Sequence, residues 1–144
     1  MSEKKANGKI IVPTLNIEKT IDPLCTELRE LNHEAEAINI FNPFNALKLR
    51  RLSTQKERLQ SKYEKEIADC YDCLREPVSG PGSTMAFVQA WSTAKGTSAI
   101  LKLQNIWHEL GAVLDRKYAY MFAILAIYVS ILSVLLTLIF GIFG

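Results

Sequence analysis

Hydrophobic positions along the chain fall into stretches with a helical period, and the last stretch carries no charge at all. Leu24, Leu28, Leu31, Ala35 and Ile38 step by four or three residues and share one face of a first helix. Its start signal is Asp22-Pro23, a capping residue followed by proline at the first helical position. Asn42-Pro43 repeats the signal. A second helix is expected from Pro43 to about Glu76, stopped by Pro77. Its apolar face comprises Phe44, Leu47, Leu52, Leu59, Tyr63, Ile67, Cys70 and Leu74. That face is narrow among many charges and suits a single neighbour.

PVSGPGST, residues Pro77 to Thr84, is the clearest loop in the chain. A third helix is expected to begin at Ser83 or Thr84, weaken at Gly96, and restart with Thr97 or Ser98 as cap. Ile100, Leu103, Trp107, Leu110 and Leu114 then keep the three–four step. Gly111 is the one glycine between Ser98 and Phe140, so this helix should run unbroken into the apolar tail.

The tail, Tyr118 to Gly144, has 27 residues, of which 15 are Ile, Leu, Val or Phe. All 17 basic and 15 acidic residues lie in 1–117, so the net charge of +2 averages two unlike halves. Roughly 20 apolar residues in a helix cross a hydrocarbon core. Each large aliphatic or Phe side chain contributes about −0.3 to −0.6 kcal/mol near the bilayer centre, which sums to several kcal/mol in favour of insertion. Ser130, Ser133 and Thr137 oppose this weakly, because their hydroxyls can bond back to their own helix. The expected fold class is an all-α membrane protein. It has a flexible arm over 1–19 (with one short strand at Lys9-Ile10-Ile11-Val12), a cytosolic helical domain over 20–117 and a transmembrane helix over 118–144.

Arg116 and Lys117 abut the span and no charge follows it, which predicts a tail-anchored, single-pass chain with a cytoplasmic N terminus. Three cysteines, Cys25, Cys70 and Cys73, suit a reducing compartment, since an odd count is not a disulfide framework. The second helix and the stretch from Thr84 to Lys117 are each about 50 Å long at 1.5 Å per residue, and a short loop joins them into an antiparallel hairpin. That pairing returns Phe41, Phe44, Lys48, Arg50 and Arg51 to the level of Arg116 and Lys117, at the inner headgroups. Each cation there is worth about 1 kcal/mol against an anionic leaflet. The plainer alternative is a solvated basic cluster.

Little in the chain points to catalysis. Cys70-Tyr-Asp-Cys73 has CxxC spacing, but zinc needs four ligands and His33 and His108 stand alone. A redox CxxC opens a helix after a strand, whereas this one falls near the end of a charged helix, so packing is the reading. Arg50-Arg51-Leu52-Ser53 has the form of a basic-directed kinase site, a string short enough to recur by chance. Gly80 and Gly82 lack the strand and lysine of a phosphate loop. The carboxylates read as solvated helix faces, and no concentrated basic, aromatic surface suggests nucleic acid. No enzyme activity, cofactor or metal is expected.

The strongest signal lies inside the apolar tail. Ala119, Ala123, Ala126, Ser130, Ser133, Thr137, Gly141 and Gly144 are all its small residues, and every one falls on a single three–four stripe. Lipid tails distinguish alanine from leucine weakly, so confinement to one stripe points to close helix–helix approach. The near-heptad step implies left-handed, coiled-coil-like packing, with copies of this chain as the expected partner. Continued towards the N terminus, the stripe passes through Arg116, Ala112, Glu109 and Asn105, opposite the Ile100–Leu114 seam. In a symmetric ring the third helix would be innermost, with Asn105, Glu109 and Arg116 at a pore mouth. The leading expectation is a homo-oligomeric, pore-forming or membrane-perturbing protein controlled by its cytosolic helices. The rival is a non-conducting anchor or adaptor that recruits a cytosolic partner through residues 1–76.

Overall fold

The computed structural model describes residues 17–76 and 85–143, the side chains of Glu18, Ile142 and Phe143 excepted. The arm before Ile17, its expected strand, the loop at 77–84 with the Ser83/Thr84 start signal, and Gly144 lie outside the described residues. The chain is all-helical there: α1 spans Ile17–Glu36, α2 Asn45–Arg75 and α3 Met85–Phe143, the last with 59 residues.

The first helix starts ahead of its sequence signal. Pro23, expected at the first helical position, lies inside α1. The reason is burial: Ile17 is 4% and Ile21 0% exposed, and both join the core only if the helix extends back to them. Burying two isoleucines is worth about 1.5–3 kcal/mol each, against about 3 kcal/mol for an interior proline. Asp22 is no cap; its carboxylate meets the Lys102 ammonium at 3.0 Å and its carbonyl accepts the Thr26 hydroxyl at 2.9 Å.

The second helix is displaced on its packed face. Leu49, absent from the expected face, is fully buried, whereas Phe44 and Leu47, assigned to it, are 81% and 73% exposed. With 3.6 residues per turn, Leu49, Leu52 and Tyr63 share one side, and Leu47 is left on the other. Gly96 does not interrupt α3. It permits close approach instead: a Cβ there would stand 2.5 Å from Leu74 Cδ2 and 3.3 Å from Ile17 Cδ1.

Side-chain pairs between helices set the helix directions. Asp22 meets Lys102 and the end of α1 meets Lys117, so α1 runs parallel to α3. Leu74 packs at Gly96, Tyr63 stacks on Trp107 with ring centres 4.4 Å apart, and Lys56 Nζ lies 5.0 Å over the same indole, so α2 runs antiparallel to α3. Glu27 and Lys62, 3.3 Å apart, join α1 to α2. The core lies between the three helices, on one side of α3, through Ile100, Leu103, Ile106, Leu110, Val113 and Met121.

Past this core α3 continues alone. Every residue from Leu125 to Gly141 is exposed. An 18-residue window of α3 reaches a mean hydropathy of 2.7, and α3 is the one described helix long and apolar enough to cross a membrane. From Ile124 to Phe143 it measures about 30 Å at 1.5 Å per residue, the thickness of a hydrocarbon core.

Candidate membrane and self-assembly surfaces

The place where α3 leaves the core is built by three asparagines, Asn39 and Asn42 in the link between α1 and α2 and Asn45 at the start of α2. The Asn39 side chain accepts the Phe41 N–H at 2.9 Å, Asn42 accepts the Phe44 N–H at 3.0 Å, and the Asn45 amide donates to the Asn39 carbonyl at 2.8 Å. Asparagine favours such corners because its short side chain satisfies nearby backbone. The corner brings Ile40, Pro43 and Ala46 against Met121, Leu125 and Tyr128, enclosing an apolar groove of about 110 Å³. Lys117 ties the same place down, donating to the carbonyls of Glu36 at 2.7 Å and Ile38 at 2.9 Å. A lysine there also answers the negative end of the α1 dipole.

The corner and the first turn of α2 leave large apolar side chains facing outward: Phe41 is 68% exposed, beside Phe44 and Leu47. Lys48, Arg50, Arg51 and Arg116 are exposed as well, and Lys117 is half-buried on α1. Of the residues expected at a membrane surface, Phe41, Phe44, Lys48, Arg50 and Arg51 therefore share the end of the bundle from which bare α3 emerges. Leu47, expected on the packed face of the second helix, stands here instead, and nothing in the sequence singles out Ile40, Pro43 and Ala46 as lining a groove. Phe41, Phe44 and Leu47 step by three, a second apolar row off the Leu49–Leu52 face, and that row was the available signal.

Along α3 the expected assembly face is open. Asn105, Glu109, Ala112, Arg116, Ala119, Ala123, Ala126, Ser130, Ser133, Thr137 and Gly141 are all exposed. The core residues of α3 lie on the opposite side. A Cβ built on Gly141 meets nothing within 4 Å. The Ser130 hydroxyl donates to the Ala126 carbonyl at 2.8 Å and the Thr137 hydroxyl to the Ser133 carbonyl at 2.9 Å, so both are satisfied within the helix.

The thiols are packed. Burial pushes Cys70 up to about 11, with the neighbouring Cys73 thiol adding to it, and burial likewise raises Cys25 and Cys73. A protonated thiol is a poor nucleophile and a poor metal ligand. Among the described residues no group of three or more His, Cys, Asp or Glu side chains is placed to hold a metal. Ser53 of the kinase-like string stands in mid-helix next to fully buried Leu52. No protein-family model, curated protein or solved structure matches this chain.

Proposed function

We propose that the chain is a single-pass membrane protein with a cytoplasmic N terminus, in which copies of α3 associate through their bare face to form a pore. One observation carries this reading. The α3 face from Asn105 to Gly141 is open along nearly its whole length, while α1 and α2 occupy the other side. Copies of α3 can then meet at an axis without disturbing the core, with α2 outside. Small residues at Ala123, Ala126, Ser130 and Ser133 allow backbones to approach. Asn105, Glu109 and Arg116 then stand at the cytosolic mouth, where a ring of charge sets ion selectivity. The hairpin of α2 and α3 rests its Asn42 end on the inner leaflet, with Phe41 and Phe44 at the headgroups. Planar-bilayer recordings of purified protein test the pore: the wild type conducts and Arg116→Glu shifts the cation-to-anion preference. An intact oligomer with no conductance above background rejects it.

A second reading has its own support. The Ser130 and Thr137 hydroxyls are already bonded within α3 and require no water-filled axis. A tightly packed α3 oligomer would then serve as a non-conducting anchor that presents residues 1–76 to a cytosolic protein.

A further inference from the structure

We infer that the outer face of α2 holds a binding site for the phosphate of anionic phospholipids, formed by Arg50, Arg51 and Arg58 above Phe44 and Leu47. The inference rests on the proposed membrane placement of α3, though not on self-association or conductance.

The three arginines line one open hollow of about 400 Å³ together with Leu47, Thr54 and Gln55. On a 3.6-residue turn Leu47, Arg51 and Arg58 lie nearly in line, with Arg50 on the flank, and this row is opposite the Leu49–Leu52–Tyr63 core face. No carboxylate pairs with any of the three among the described residues, although pairs such as Glu27–Lys62 and Asp22–Lys102 form elsewhere. Three guanidinium groups at one hollow repel each other, and the nearby Glu27 carboxylate, which lines an adjoining hollow with Arg58, is paired with Lys62 at 3.3 Å. The Thr54 hydroxyl donates to the Arg50 carbonyl at 3.1 Å, so the guanidinium groups and the Gln55 amide are the donors on offer. The planar guanidinium forks match phosphate oxygens two at a time.

The source of that phosphate follows from the ends of the helix. The N-terminal end of α2 is the one beside bare α3, since Ala46 shares a groove with Leu125 and Tyr128. Helical side chains lean towards the N-terminus of their helix, so all three arginines lean towards the level at which α3 becomes bare. Below them Phe44 and Leu47, 81% and 73% exposed, present apolar surface at the depth of the upper acyl chain. Cation above and hydrocarbon below is the polarity of a phospholipid, and a free phosphate would make no use of Phe44 or Leu47.

The full chain in a neutral detergent, titrated with dioctanoyl phosphatidylglycerol or dioctanoyl phosphatidylcholine and weighed by native mass spectrometry, tests the site. Phosphatidylglycerol should be retained more strongly. At about 1 kcal/mol for each cation, Arg58→Gln should weaken its retention about five-fold and Arg50→Gln with Arg51→Gln about twenty-five-fold. Lys65→Gln removes the same charge farther up the exposed side of α2 and should change retention less than two-fold. Inorganic phosphate at equal concentration should not displace the lipid. Equal retention of the two lipids, an unchanged preference in the arginine variants, an equal loss with Lys65→Gln, or displacement by inorganic phosphate would each overturn the site. Carbonate extraction from vesicles separates the two levels: α3 inserted but without lipid preference rejects this site alone, and α3 extracted rejects the membrane placement beneath it.

Discussion

Lys117, the last charged side chain, holds Ile38: its ammonium donates to the Ile38 carbonyl just past α1 at 2.9 Å and to the carbonyl of Glu36, the last residue of α1, at 2.7 Å. The sequence places this cation at the inner headgroups, and in the structure its ammonium is bonded to the end of α1. The end of α1 is thereby set beside the residue that precedes the apolar stretch.

Lys117→Met keeps the aliphatic stem and removes the donors. Hydrogen bonds from a charged group contribute about 1.5–3 kcal/mol, so the variant should be destabilised by about 1–3 kcal/mol. Amides near Ile38 should exchange faster while those around Leu103 stay protected. Hydrogen exchange of the purified protein in detergent measures both, and uniform loss of protection would contradict a local tie.

Gly96→Val should destabilise the bundle by about 1–3 kcal/mol, the usual penalty for overpacking. The added side chain meets Leu74 and Ile17, where α1, α2 and α3 converge. Gly141→Val, where an added Cβ meets nothing, should leave the thermal midpoint of the helical domain unchanged. Circular dichroism melts of the two variants give the comparison.

The Cys70 thiol sets a pH dependence. Its value rises from 9.0 to about 11 because burial disfavours the thiolate. The folded state therefore keeps a proton that the unfolded state releases above pH 9, and stability should fall from about pH 9 to pH 11. Below pH 9 the thiol adds no slope. Cys70→Ser should flatten that part of the denaturation profile, and an unchanged slope would show that another group is responsible.

Ser130→Leu with Ser133→Leu should weaken the proposed α3–α3 contact about ten-fold or more, because bulk on the small face keeps backbones apart. Leu132→Ala with Leu136→Ala, off that stripe, should leave it intact. Native mass spectrometry from lipid nanodiscs reads the oligomer directly; equal effects of the two pairs would remove the stripe as the interface.

Periodicity alone determined that the described chain is helical and that its last helix is long and apolar enough to cross a membrane. These features follow from local spacing: a 3.6-residue repeat and an uncharged run need no partner to be recognised. The open side of α3, from Asn105 through Ala123 to Gly141, was legible for the same reason. Only tertiary structure decided how far each helix extends and which faces meet. Ile17 and Ile21 draw α1 back past Pro23 because burial outweighs the lost backbone bond. Gly96 reads locally as a weak point, yet it is retained inside α3 because Leu74 needs its missing side chain. Leu47 matches an apolar repeat but faces outward, since α2 turned Leu49 to the core. Local propensity is settled within a few turns of chain, whereas the choice between competing apolar rows depends on a neighbour that arrives from elsewhere in the sequence.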